Sequence, residues 1–307
     1  MPGAYAHVSI VNDAQKHIDG AGLRDETAAA LGRHLKYLEL GSVSPDYPYL
    51  VFKQGNWADS MHYLNTSTLL RSGVSAVRAL PPIDRPQATA WLFGFAAHMT
   101  SDMTIHPVVE LKVGPYSDNK GEHRRCEMHQ DAFIFPKIFD AGEAGLSDHL
   151  TTGIASCHAP GDKDSLLPCV KNTWITMLKA AYPADVAQEM PDPCVWHRGF
   201  NSVLKHMGNA NHLFPFARHV ASNLNIAYPK TADVLDTYLF GLSTPEGPMN
   251  YLEIFERART NVVSVWTGLD AALRDGDSDF LRSLQDWDLD TGRNLVNRTH
   301  VFWKATP

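Results

Sequence analysis

GFAAHMTSDMTIHP, residues 94–107, places His98, Asp102 and His106 at i, i+4 and i+8. On an α-helix these positions lie within about 80° of one another, so the three side chains project from one face. Phe93, Phe95, Ala96, Ala97 and Met99 flank the first two, which puts that face inside the protein. Two imidazoles and a carboxylate are costly to bury together unless they are paired or bound to a cation, and a divalent metal removes the cost. Asp84 and Pro86 supply a cap and a first turn for this helix. Pro107 disfavours helical geometry at His106, so the helix is expected to end there with a bend that turns His106 inward.

GEHRRCEMHQDAF, residues 121–133, repeats the pattern with His123, Glu127 and Asp131 on one predicted helix face. A lone His-xxx-Asp is usually a structural pair. Two helices that each present histidine and carboxylate at helical spacing are how helix bundles build multinuclear metal sites. His129 falls off the His123–Glu127 face and reads as an ordinary surface or core histidine. Three segments nearer the N-terminus add isolated candidates: His7 in AYAHVSIVNDA, Asp46 in the Pro-rich SPDYPYL, and Asp59 with His62 in ADSMHY.

The rest of the chain reads as helix. Apolar residues recur at three-to-four spacing over 21–39, 57–80, 84–105, 121–140, 163–181, 197–223, 230–242, 248–273 and 278–285, with almost no strand-like alternation. Gly and Pro clusters break the chain into helix-sized pieces, and none is a convincing linker. The expected fold is all-α, one domain over 1–307, with functional loops. The 307 residues, 44% of them hydrophobic and 20% charged, suffice for a sizeable core and exclude the disordered and fibrous classes. A net charge of −7 argues against a duplex-DNA binder. The sequence holds no stretch apolar enough for a membrane span. It shows no basic segment followed by an apolar run, which gives an expectation of the cytoplasm. Cys126, Cys157, Cys169 and Cys194 form no CxxC pair, so a thiolate zinc site is not expected. They read as free thiols, a Cys157–Cys169 or Cys169–Cys194 bridge being the alternative. Asp286, Asp288 and Asp290 alternate as in a calcium loop, but Gly292 is one place late and Asn297 stands where a bidentate Glu belongs. Turn and cap chemistry is the plainer reading.

Taken in order, His7, Asp46, His62, His98-xxx-Asp102-xxx-His106 and His123-xxx-Glu127 resemble the zinc-dependent phospholipase C family, whose all-helical fold is shared with the fungal zinc single-strand nucleases. The resemblance covers residues 7 to 131. It implies two or three Zn2+ ions: Asp46, His62, His98 and Asp102 at the first, His106, His123 and Glu127 at the second, and His7 with a bridging Asp102 at a third. Asp131 is expected to orient a ligand histidine, and Asp59 to have no metal role. In the family the third ion also uses a free N-terminal tryptophan. This chain begins Met-Pro, and loss of Met1 would leave Pro2 five residues before His7.

The reaction implied is hydrolysis of a phosphate ester by metal-activated water, with Asp46 as an additional base. The substrate would carry a phospholipid headgroup, a nucleotide or a phosphorylated metabolite. Tyr47, Tyr49, Phe52, Trp57 and Tyr63 either pack in the core, border acyl chains or stack a base. Trp196-His197 and Asn211-His212 are weaker candidates for the pocket. The rival readings are a nuclease or nucleotidase on the same platform and a non-catalytic, metal-stabilised helical protein. A redox di-metal carboxylate site ranks lower, because its Glu-rich ligation is missing.

Overall fold

The computed structural model describes residues 3–139, 152–207 and 229–304. The helices are α1 (Ala4–Lys16), α2 (Asp25–Arg33), α3 (Leu35–Val43), α4 (Gly55–Tyr63), α5 (Thr66–Ala79), α6 (Arg85–Val113), α7 (Tyr116–Phe139), α8 (Pro168–Ala181), α9 (Pro183–Gln188), α10 (Pro193–Met207), α11 (Tyr251–Asp275) and α12 (Asp279–Ser283). A 3₁₀ segment, Ser44–Leu50, follows α3 directly. The all-α expectation holds. Strands among the described residues make two small antiparallel hairpins, β1 (His158–Ala159) with β2 (Asp162–Leu166) and β3 (Trp287–Asp288) with β4 (Arg293–Asn294). Trp287 pairs with Asn294, and Asp288 with Arg293.

α6 is the axis. Every residue from Ala88 to Val109 is buried, and α1, α2, α3, α5, α7, α8 and α11 all pack on it. Its closest neighbour is α3, because Gly41 and Gly94 let the two backbones touch. A Cβ on Gly94 would lie 2.0 Å from the Leu38 carbonyl oxygen, and one on Gly41 2.1 Å from that of Trp91. The Trp91 indole N–H donates to Ser44 Oγ at 2.9 Å and ties the start of the 3₁₀ segment to the axis. Buried apolar side chains form one cluster running from Ala4 to Trp303.

Several boundaries differ from the periodicity. α6 does not end at His106 but runs through Pro107 to Val113. Proline removes one backbone donor, and burial on all sides outweighs that loss. The 21–39 segment breaks at His34 (φ −117°, ψ 35°) into α2 and α3. The 57–80 segment breaks at Asn65, which takes the left-handed conformation at φ 48° and donates its side-chain amide to the Ala181 carbonyl at 2.8 Å. Residues 162–166 are a strand rather than the start of a helix, turned back by Gly161 at φ +80°. The 230–242 segment holds only two short 3₁₀ turns, Thr231–Asp233 and Asp236–Tyr238. The 197–223 segment is helical as far as Met207, and its remainder lies outside the described residues. No described helix is long and apolar enough to cross a membrane.

Candidate metal centre

Six predicted side chains come together around α6: His7 from α1, Asp46 from the 3₁₀ segment, His62 from the last turn of α4, and His98, Asp102 and His106 from α6. All six are buried, with Asp46 the most accessible at 4%. Asp102 is the hub. Its Oδ2 lies 3.3 Å from His98 Nε2 and 3.5 Å from His62 Nε2, and its Oδ1 lies 3.3 Å from His7 Nε2 and 3.8 Å from His106 Nε2. Asp46 Oδ1 closes the His62–His98 side, at 3.4 Å and 3.9 Å from the two Nε2 atoms. The Nε2 atoms of His62 and His98 are themselves 3.3 Å apart, and the His7 and His98 rings stack with centroids 4.1 Å apart.

The outer nitrogens fix the tautomers. His98 Nδ1 meets the Ser42 carbonyl at 2.8 Å, His62 Nδ1 the Ala58 carbonyl at 2.7 Å, and His106 Nδ1 the Leu289 carbonyl at 2.9 Å. A carbonyl only accepts, so each Nδ1 carries the hydrogen and each Nε2 presents a lone pair inward. His7 Nδ1 lies 3.2 Å from Ser101 Oγ, whose own hydrogen goes to the Ala97 carbonyl, so the same assignment follows. Four imidazole lone pairs and two carboxylates thus converge with no donor between them. Both oxygens of Asp102, Asp46 Oδ1, His7 Nε2 and His106 Nε2 are buried and lack a hydrogen-bond partner among the described residues.

Such a set has the chemistry of a cation site. A tetrahedral zinc ion with bonds of about 2.0–2.1 Å sets its ligand atoms about 3.3–3.4 Å apart, close to the 3.3, 3.3 and 3.5 Å seen among His62 Nε2, His98 Nε2 and Asp102 Oδ2. His62–His98–Asp102 and His7–Asp46–His98 each form a group close enough to hold an ion. The charge balance is consistent with this. Asp102 is held well below the usual carboxylate range: burial alone would raise it, but His98 and His106 and the contacts from His7 and His98 outweigh burial. Asp46 is lowered by His98 and His62 against the same opposition. His7 falls to about 4 through burial and the neighbouring His98. For His98, burial is overcome by Asp102 and Asp46, and the shift is upward.

The α7 candidates sit beside this core. His123 shares with His106 a cleft of about 420 Å³, bordered also by Tyr63, Glu110, Tyr116, Lys120 and Asp290. His123 Nε2 donates to the Gly114 carbonyl at 2.6 Å. Nδ1 is therefore its acceptor nitrogen, the reverse of the other four. Burial lowers His123 to about 4 and raises Glu127, which is buried one turn further along α7.

Asp131 has a different job from the one expected. Its Oδ1 accepts from the Ala6 amide at 2.8 Å and its Oδ2 from the Tyr5 amide at 3.4 Å. It caps the N-terminus of α1 and so sets His7 through the helix. Asp59 accepts from the Tyr49 hydroxyl at 2.7 Å, and His129 accepts from the Leu235 amide at 3.1 Å. Tyr47 and Trp57 are core residues, whereas Tyr63 borders the cleft and Phe52 is 86% exposed. Trp196 is buried, with its indole N–H on Gln54, and His197 stacks on Tyr47 with centroids 6.0 Å apart. Asn211, His212 and Pro2 lie outside the described residues.

Sequence reasoning missed the carbonyls of Ser42, Ala58 and Leu289, because backbone acceptors leave no residue-type signal. It also missed Asp290, whose Oδ1 is 3.4 Å from His106 Nδ1. The aspartates read as turn and cap residues do that work. Asp286 Oδ1 accepts from the Ser67 amide and hydroxyl at the start of α5, and Asp288 Oδ1 accepts from the Asp290 and Thr291 amides.

The fold and the site define a helical protein built around a buried histidine–carboxylate centre. The model of the zinc-dependent phospholipase C family matches residues 6–184, more than half of the chain, and the chain belongs to that family. The family points to a zinc-dependent hydrolase, and the buried His and Asp groups are able to bind metal. No curated protein and no solved structure gives a significant match.

Proposed function

We propose that this chain is a phospholipase C-like phosphodiesterase that hydrolyses a phosphate ester with zinc-activated water. His7, Asp46, His62, His98, Asp102, His106, His123 and Glu127 would hold two or three Zn2+ ions, Asp102 serving more than one of them. One observation carries the reading: four Nε2 lone pairs and two carboxylates converge without a donor, an arrangement that only cations or added protons make stable. Bound zinc would acidify a water and neutralise charge on the phosphate oxygens. The protein's own part is to hold the imidazoles by their Nδ1–H groups and keep Asp46 and Asp102 ionised. Asp46 keeps a carboxylate oxygen for the proton of the attacking water. Lys120, at the cleft, places a positive charge where the phosphate enters.

A second reading, a single-strand nuclease or nucleotidase on the same platform, draws on Tyr63 and Tyr116, which border the cleft and offer aromatic faces to a base. The test is metal content per chain on protein purified without a chelator or a metal-binding tag, followed by turnover of phosphatidylcholine micelles, single-stranded DNA and nucleoside monophosphates. Two to three zinc ions with turnover of one substrate class support the proposal, and the class that turns over selects between the two readings. Zero or one ion, not restored by added zinc, or a full complement of zinc with no turnover, leaves a non-catalytic helical relative instead.

A further inference from the structure

The family match stops at residue 184, yet two of its histidines are held from the far end of the chain. The Leu289 peptide lies between them: its N–H donates to the His62 carbonyl at 3.1 Å and its C=O accepts from His106 Nδ1 at 2.9 Å. Asp290 spans the next gap. Its Oδ2 accepts from the Tyr63 hydroxyl at 2.6 Å, and its Oδ1 lies 3.4 Å from His106 Nδ1.

The turn that presents these groups is built for its seat on α6. Asp288 Oδ1 takes the Asp290 and Thr291 amides at 3.1 and 3.2 Å, and its carbonyl takes the Gly292 amide at 3.0 Å. Gly292 adopts φ +65°, and a Cβ there would lie 2.5 Å from the Met103 carbonyl oxygen and 2.4 Å from Pro107 Cγ. Pro107 has no N–H to give Met103, so the turn rests where the proline interrupts the α6 ladder. At the next residue of α6, the Trp303 indole donates to the Thr104 carbonyl at 3.0 Å.

We infer that Asp290 is a positioning residue of the metal centre, acting through His106. Together with Leu289 it keeps the hydrogen on Nδ1 and aims Nε2 at Asp102, and its charge makes His106 a stronger donor to an ion, as outer carboxylates do for metal-bound histidines. This inference rests on the metal reading of the cluster.

The test is zinc affinity by competition with a chromophoric chelator, with the visible spectrum of the cobalt-substituted protein as a second readout. Asp290→Asn keeps the side-chain shape and an oxygen for Tyr63 but loses the charge. It should weaken one ion by about 10- to 100-fold, alter the cobalt band of that site, and leave the melting midpoint of zinc-stripped protein unchanged. Asp290→Glu should bind zinc more tightly than Asn does, and Tyr63→Phe, which leaves the carboxylate beside His106, should bind like wild type. Wild-type zinc affinity in Asp290→Asn overturns the assignment alone. Equal losses in Asp290→Asn and Tyr63→Phe also overturn it, since the carboxylate would then merely brace the tyrosine. A wild-type chain that takes up no zinc overturns the metal reading and this inference with it.

Discussion

Gly41 and Gly94 meet backbone to backbone: a Cβ built on Gly41 would lie 2.9 Å from the Gly94 Cα, with the Trp91 carbonyl oxygen still closer at 2.1 Å. The contact draws α3 onto α6 where Ser42, one residue on from Gly41, offers its carbonyl to His98 at 2.8 Å. Gly94→Ala forces a methyl to within 2.0 Å of the Leu38 carbonyl, a clash with backbone that no rotamer relieves. Overpacking usually costs about 1–3 kcal/mol, and a backbone-to-backbone site belongs at the upper end. Urea unfolding of zinc-stripped protein should show a loss of about 3 kcal/mol. Zinc affinity should fall as well, because α3 cannot withdraw without taking the Ser42 carbonyl from His98. A variant as stable as wild type would mean the helices slide apart freely, against this account of the contact.

The His62–His98 pair, with Nε2 atoms 3.3 Å apart, predicts a trade between stability and function. Metal-free, two lone pairs face each other in a buried space. With free zinc about a thousandfold above its dissociation constant, binding contributes about 4 kcal/mol, or about 6–8 °C of melting midpoint for a chain of this size. Chelation should remove that increment and added zinc restore it. His62→Gln should abolish one ion yet stay within about 1 kcal/mol of wild type once both are stripped, since it removes one of the opposed lone pairs. Calorimetry with and without chelator checks both parts. A His62→Gln protein that melts far below stripped wild type would show His62 to be chiefly structural.

Asp131→Ala should act on His7 without touching it. The carboxylate accepts from the Tyr5 and Ala6 amides, and loss of an N-terminal cap costs about 0.5–2 kcal/mol. The first turn of α1 then frays, and His7, the fourth residue of the helix, closes that turn through its amide on the Gly3 carbonyl. The expected result is a stability loss of about 1–2 kcal/mol in chemical denaturation with a weakened ion on the His7 side. Asp131→Asn, which keeps an oxygen acceptor, should recover part of the stability. Unchanged zinc content and stability in Asp131→Ala would remove the link from α7 to His7.

What could be read in advance follows from how each residue is placed. His98, Asp102 and His106 share a helix face, so their convergence is a consequence of 3.6-residue periodicity and was legible. His7, Asp46 and His62 come from three other elements, and no spacing rule joins them; only the ordered set resembled a family. Asp131 was legible as functional but not in its role, because a carboxylate four residues past a glutamate looks the same whether it braces an imidazole or caps another helix. Pro107 misled, since the rule that proline ends a helix is local and the burial that overrides it is not. The hold of Leu289 and Asp290 on His106 links residues far apart in the chain, and sequence offered only an acidic turn.

The four cysteines, all free and buried among the described residues, give a prediction that depends on pH. Burial raises the Cys157 thiol, and it raises Cys169 to about 11. A free thiol in the unfolded chain ionises near about 8.5. At pH 8 native Cys169 is therefore about one part in a thousand thiolate, and only the thiolate attacks a disulfide reagent. Native protein should show no rapidly reacting thiol at pH 8, whereas four should react at once in denaturant. The linkage has a defined sign. The Cys157 and Cys169 thiols hold their protons more tightly folded than unfolded, so their contribution to stability is complete below about pH 8.5. It is lost as pH rises toward the folded Cys169 value of about 11. The melting midpoint should decline across that window, and Cys169→Ser should make the decline shallower. A fast thiol at pH 8 in native protein, or a decline untouched by that substitution, would show that Cys169 is not held in the apolar setting described.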